Sequence, residues 1–246
     1  MSPPNPLWQR LLILLTAVLG VAATFSLGMW QLGRGAEKLA LHAIQHDRSA
    51  MAALDGRMLT PHMDAAALNG VWHRKIVLKG QWLPEHTVYL DNRQMQGRSG
   101  FFVMTPMKLV ETGAVVLVQR GWAPRSFTDR LALPQVETSN QSIEITGRLA
   151  PWPSRLYDFG GMERGVMRQN LDLTLFRQQT GLPLQDLSVI QEGAASEGLL
   201  RDWPAVASGV EKHHGYAFQW FGLSALIALL YVWFQIVQVR RKQRTA

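Results

Sequence analysis

The sequence predicts an α+β membrane protein: two transmembrane helices flanking a mainly antiparallel β domain. Three observations carry that prediction. Long uncharged apolar runs lie near both ends of the chain, the surplus positive charge sits beside them, and the middle reads as short strand-like runs divided by turn residues.

The first apolar run, Leu11 to Gly33, holds 23 residues without a charge. At the α-helical rise it is about 35 Å long, enough for a hydrocarbon core of about 30 Å. Gln9-Arg10, the apolar LLILLTAVLG and the small residues Val21-Ala22-Ala23 also fit a cleavable signal peptide. The run continues to Trp30, which favours a retained anchor. The second run, His213 to Val239, is 27 residues and about 40 Å long.

Charge sets the expected orientation. The formal net charge is +7, but all 18 acidic residues lie between Glu37 and Glu211. Within 34–212, twenty basic residues face those 18 acids, a net of only +2. The excess is Arg10 at one end and Arg240, Arg241, Lys242 and Arg244 at the other. That is a topology signal and argues against a nucleic-acid partner. The basic tail predicts a cytoplasmic C-terminus, and two spans then place the N-terminus inside too. The expected layout is a cytoplasmic tail at 1–10, a transmembrane helix at 11–33 and a periplasmic α+β domain at 34–212. A transmembrane helix with an outer histidine and aromatic collar follows at 213–239, and a basic cytoplasmic tail at 240–246.

After the first span, Arg34–Leu54 carries Leu41, Ile44, Met51 and Leu54 at helical spacing and reads as a helix continuing into water. His42 and His46 lie one turn apart on it, but Ala43 stands where a metalloprotease H-E-x-x-H needs Glu. Strand-like runs follow at 73–82, 86–93, 100–109, 114–122, 142–149, 165–171 and 186–191, with a short helix in LTLFRQQTG. Their spacing predicts a small sheet or open barrel with one or two helices. Ser196–Gly209 reads as a loop returning to the membrane.

Several chemistries are excluded or unsupported. With no cysteine, disulfides, thiolate metal sites and thiol redox chemistry are absent. The chain has no nucleophile elbow, P-loop or dinucleotide fingerprint, and it is expected not to be an enzyme. Asp91-Asn92-Arg93 and Gln119-Arg120-Gly121-Trp122 end strand-like runs, as turn and ion-pair chemistry or as a docking surface.

The collar is the sharpest feature. On a helix, His213, Ala217, Trp220 and Ser224 share one face, bordered by Tyr216. A neutral imidazole among aromatics at a membrane surface can ligate haem iron; a polar helix end with an interface belt accounts for the same residues. Counting along both spans puts Arg34 near the height of His213, able to pair with a haem propionate or to snorkel. Gly20, Ala23 and Gly28 would let the two helices pack closely.

The chain resembles the Surfeit locus protein 1 family of cytochrome c oxidase assembly factors, nearly end to end. The resemblance rests on LGMWQLGRGAEK at Leu27–Lys38, GQWLPEHTVYLDNRQMQGRSGFFVMTPM at Gly80–Met107, VVLVQRGWAPR at Val115–Arg125 and EKHHGYAFQWFGL at Glu211–Leu223. It implies a two-span protein of the bacterial inner membrane that assists maturation of a haem–copper terminal oxidase of the respiratory chain. It implies binding of haem a and its delivery to oxidase subunit I, with haem A synthase as a further partner. The family's proposed axial ligand to the haem iron maps to His213; with that ligand, Tyr216 and Trp220 of the collar are expected to pack against the macrocycle, and Arg34 is the candidate partner of a propionate from its height alone. The alternative is a haem-free scaffold that stabilises subunit I during assembly.

Overall fold

A computed structural model describes residues 7–61, 68, 70–129, 131–157, 165–203, 209–237 and 240. Arg241, Lys242 and Arg244 of the basic tail, and 204–208 of the return loop, lie outside the described residues. In chain order the elements are α1 (Leu7–Ala50), β1 (Leu54–Asp55), β2 (Lys75–Trp82), β3 (Val88–Met95), β4 (Arg98–Leu109), β5 (Val115–Pro124), β6 (Ile143–Ala150), β7 (Met167–Arg168), α2 (Leu173–Thr180), β8 (Leu184–Gln191) and α3 (Val210–Tyr231). The chain divides into two compact units: Met1–Ile44 with Val206–Ala246, and Gln45–Ala205.

The first unit contains two helices long and apolar enough to cross a membrane, Leu7–Ala50 and Val210–Gln235. Neither has an internal proline, so the ladder of main-chain bonds runs unbroken until a π-helical stretch at Val232–Val237. The helical pattern predicted to reach Leu54 stops at Ala50. Leu54 is drawn instead into a parallel pairing with Ile76.

In the second unit, five strands close on themselves. β2 pairs with β6, β6 with β8, β8 with β5 and β5 with β4. β4 returns to β2 through Gly80–Leu109, Gln81–Lys108 and Trp82–Met107. Within the ring only β5 and β8 run parallel. The result is a closed β-barrel, on the closed side of the sheet-or-open-barrel alternatives. Gly80 permits the closure: a Cβ there would lie 2.6 Å from the Lys108 carbonyl oxygen and 2.7 Å from Met107 Cγ. β3 continues the sheet outside the ring along the other half of β4, and β7, reduced to two residues, follows it.

The two faces of β5 explain its unbroken apolar run. Val116 and Val118 join Ile76, Leu78, Met107, Ile145 and Val189 in one core. Val115 and Leu117 join Val88, Leu90, Met104 and Phe176 in a second core on the strand's other face, to which β3 and α2 contribute. α2 begins where Asp172 accepts from the Leu175 N–H at 2.9 Å. It ends at Gly181, whose φ of 69° is the left-handed cap glycine tolerates.

The polar strand ends are used internally. Arg93 is buried and donates to the carbonyl oxygens of Ser154 and Gln169; the Trp122 indole donates to the Arg93 carbonyl. Asp91 pairs with Arg125. Arg120 sits at a bulge between Gln119 and Gly121 and is fully buried. Its guanidinium lies 4.5 Å over the Trp82 ring, donates to Thr138 Oγ1 and the Glu137 carbonyl, and meets Glu197 at 3.0 Å. Of the two readings of these residues, turn and ion-pair chemistry describes what they do.

Candidate functional site

Within the first unit, α1 and α3 meet along a seam of small residues. Gly20, Thr24, Gly28, Gln31 and Gly35 recur every three or four positions along α1 and are its shielded stripe. Opposite them stand His213, Ala217, Trp220, Ser224 and Ile227, the face that helical spacing predicted for the collar. Ala217 is 2% exposed.

The contacts fix the register. A Cβ on Gly20 would touch Ile227 Cδ1 at 3.5 Å. Ser224 donates to the Val21 carbonyl at 3.3 Å. Gly28 receives the Phe221 ring, which also meets Phe25 at a centroid distance of 5.3 Å. Close approach at small residues drives helix association where lipid competes equally for apolar surface. Gly20 and Gly28 act as expected. Ala23 does not: it is exposed, and Thr24 holds that place, with its hydroxyl turned back to the Gly20 carbonyl at 2.8 Å.

At the His213 level the seam becomes polar. His213 Nδ1 lies 2.6 Å from Gln31 Oε1. An amide oxygen only accepts, so Nδ1 is the donor of the pair, which leaves Nε2 as the nitrogen with the lone pair whenever the ring is neutral. Nε2 has no hydrogen-bond partner among the described residues. A neutral imidazole that donates through Nδ1 keeps on Nε2 the lone pair with which an imidazole can bind a metal.

The other collar residues take different places. Trp220 is half-buried at the seam's margin, and Tyr216 is 52% exposed. Arg34 sits on the turn between Gln31 and Gly35, the height that counting assigned to it. Its guanidinium is 2.9 Å from Glu37 and 5.8 Å over the Trp30 ring. His214 is exposed, yet its ring edge would lie 3.5 Å from a Cβ on Gly35, so it borders the seam rather than pointing clear of it. His46 is solvated beside Asp47, and no group of three His, Asp or Glu is gathered for a metal among the described residues.

Gln31 is the residue that the sequence reading left without a role, although it stands inside the quoted LGMWQLGRGAEK. The signal was available: Gly20, Thr24, Gly28, Gln31 and Gly35 keep one helical face, and Gln31 is its longest polar member.

Two apolar helices with a small-residue seam and a closed five-stranded barrel define a class of membrane protein. The chain belongs to the SURF1 family, whose profile matches residues 18–225. It is 29% identical over 219 residues to a SURF1-like protein of Rickettsia conorii, covering 84% of each chain. A SURF1-like protein of Rickettsia bellii is 28% identical over 234 residues, 90% of this chain and 88% of that one. Surfeit locus protein 1 of Arabidopsis thaliana is 32% identical over 132 residues, half of this chain and 36% of its own length.

Proposed function

We propose that this chain is a haem-binding assembly factor for a haem–copper terminal oxidase, a carrier rather than an enzyme. In this reading His213 is the axial ligand of a haem a whose iron supplies the coordination site. Trp220 and Tyr216 border the macrocycle. Arg34 would pair with a propionate, in competition with Glu37. The cargo passes to oxidase subunit I, and haem A synthase is the source it would meet. In this reading the protein sits in the bacterial inner membrane with both termini cytoplasmic and the barrel in the periplasm, an orientation the basic tail supports.

The observation that carries this reading is the imidazole of His213, held at the seam through Nδ1 with Nε2 open. SURF1 membership supports the connection to oxidase assembly. The test is the pyridine-haem spectrum of the purified full chain from a host that makes haem a. Wild type is expected to carry haem substoichiometrically and a folded His213→Ala to carry none. Equal haem in both sinks the ligand assignment.

A scaffold without cofactor is the second reading. What favours it is that the family match runs through the whole barrel and is not confined to the seam. Co-purification with subunit I that survives loss of haem a synthesis would support it.

A further inference from the structure

We propose that one end of the barrel's interior binds a single water molecule, shared by the side chains of Trp82, Arg120 and Gln191. The site lies in the second unit and is independent of any role for His213.

Three atoms carry the proposal. Trp82 Nε1, Arg120 Nε and Gln191 Oε1 are each shielded from solvent and have no hydrogen-bond partner among the described residues. Their residues are 4%, 0% and 7% exposed. Such groups are rare in folded proteins, because each gives up its bond to solvent and gains none in return.

The fold brings the three to one place. The Arg120 guanidinium lies 4.5 Å over the Trp82 ring. Its terminal nitrogens are committed to Thr138, Glu137 and Glu197, which leaves Nε as the free donor. On β5, Arg120 follows Val116 and Val118 along the side that lines the first core. On β8, Gln191 follows Leu187 and Val189 in the same way. The two strands run parallel with Gln119 opposite Ile190, so the next step sets Arg120 beside Gln191. The segment after β8 crosses both: Arg201 Nε donates to the Arg120 carbonyl at 2.8 Å and Trp203 Nε1 to the Gln191 carbonyl at 2.7 Å.

The donor pattern selects the ligand. Two of the atoms donate and one accepts. A water takes both N–H groups on its lone pairs and gives one hydrogen to Gln191 Oε1, the three bonds usual for a buried water. An anion would oppose the amide oxygen, and the charge of Arg120 is already met by Glu197 at 3.0 Å. A cation would face the guanidinium. The bridge also joins strands that the ladder leaves apart, since β2 pairs with neither β5 nor β8.

Nuclear magnetic resonance of the full chain tests this. Protein labelled with nitrogen-15 at tryptophan and arginine is placed in lipid nanodiscs. The Trp82 indole signal is assigned by its loss in Trp82→Phe, and the Arg120 Nε signal by its loss in Arg120→Lys. In wild type both protons are expected to cross-relax directly with a long-lived water while exchanging slowly with deuterium. Gln191→Leu removes the acceptor and is expected to abolish both cross-peaks. A Trp82 indole without water cross-relaxation overturns the proposal, and so do cross-peaks unchanged in a folded Gln191→Leu. Indole shifts that follow chloride concentration would mean an anion among three donors, with the Gln191 amide reversed, and overturn it too. If Arg120→Lys does not fold, the Trp82 indole decides alone.

Discussion

His213 Nδ1 and Gln31 Oε1 stand 2.6 Å apart, joining two helices whose sequences are separated by the whole barrel. The pair lies where the small-residue seam ends, so seam packing and imidazole placement are one structural problem. Changes that push the helices apart should act on both.

Gly28 tests that link. A Cβ there would lie 2.6 Å from Phe221 Cε1, so Gly28→Leu must displace the ring. The overpacking is expected to cost about 1–3 kcal/mol, and Phe221→Ala in the same chain should recover part of it. Thermal unfolding in detergent of the two single variants and the double variant measures the coupling. Additive effects would show that the two residues do not meet.

Gly80 should be as sensitive for a different reason. Its missing Cβ lets β2 approach β4 at Lys108 and Met107. Gly80→Val is expected to destabilise the chain by about 2 kcal/mol or more by prising open the last pairing of the ring. Hydrogen exchange should rise first at Val110 and Leu83, whose N–H groups donate across the closure to the Lys79 and Pro106 carbonyls. Unchanged protection there would contradict it.

Glu197 is set between two shielded cations. Its carboxylate is 3.0 Å from Arg120 and 3.0 Å from Arg201, whose guanidinium also donates to the Arg120 carbonyl. Glu197→Gln leaves two inward guanidiniums facing each other and is expected to cost about 3 kcal/mol in urea unfolding. The solvated Arg57–Glu111 pair is the control: Glu111→Gln should cost far less, because water screens that pair. Equal losses would mean that burial of the first cluster is not what matters.

His73 predicts a pH dependence. Burial, then the charges of Arg148 and Arg48, hold its imidazole below the ordinary value of 6.5. The unfolded chain therefore binds the proton more readily. The contribution is complete above about pH 7 and is lost as pH falls through 6.5 towards the lowered value. His73 also has a φ of 68°, which asparagine tolerates, so His73→Asn is the matched variant. Its stability should decline less between about pH 7 and pH 5 than that of wild type. Parallel pH curves would rule His73 out as the cause.

Much of the barrel was legible because period-two patterning is local. The runs at 73–82, 86–93, 100–109, 114–122, 142–149 and 186–191 all lie on strands. The run at 165–171 shrank to Met167–Arg168, whose pairing to Tyr89 and Leu90 is set by another part of the chain. β1 was missed because Leu54 has helical spacing from Met51, and only its partner Ile76 makes it a strand residue. The seam shows the same division. Its glycines are visible in sequence, but Thr24 rather than Ala23 faces α3, because the partner helix decides which side of a nearly uniform apolar surface is covered.

By itself the sequence determined the two apolar helices, the charge asymmetry at their ends, the strand-rich middle and the face that carries His213. Each depends on composition or on spacing along one element, which a single chain displays directly. Tertiary structure alone decided that the strands close through Gly80, that Arg120 turns inward over Trp82, and that Gln31 meets His213. These depend on side chains far apart in sequence reaching hydrogen-bond or van der Waals distance. Energies at that range change over fractions of an ångström, which no residue pattern encodes.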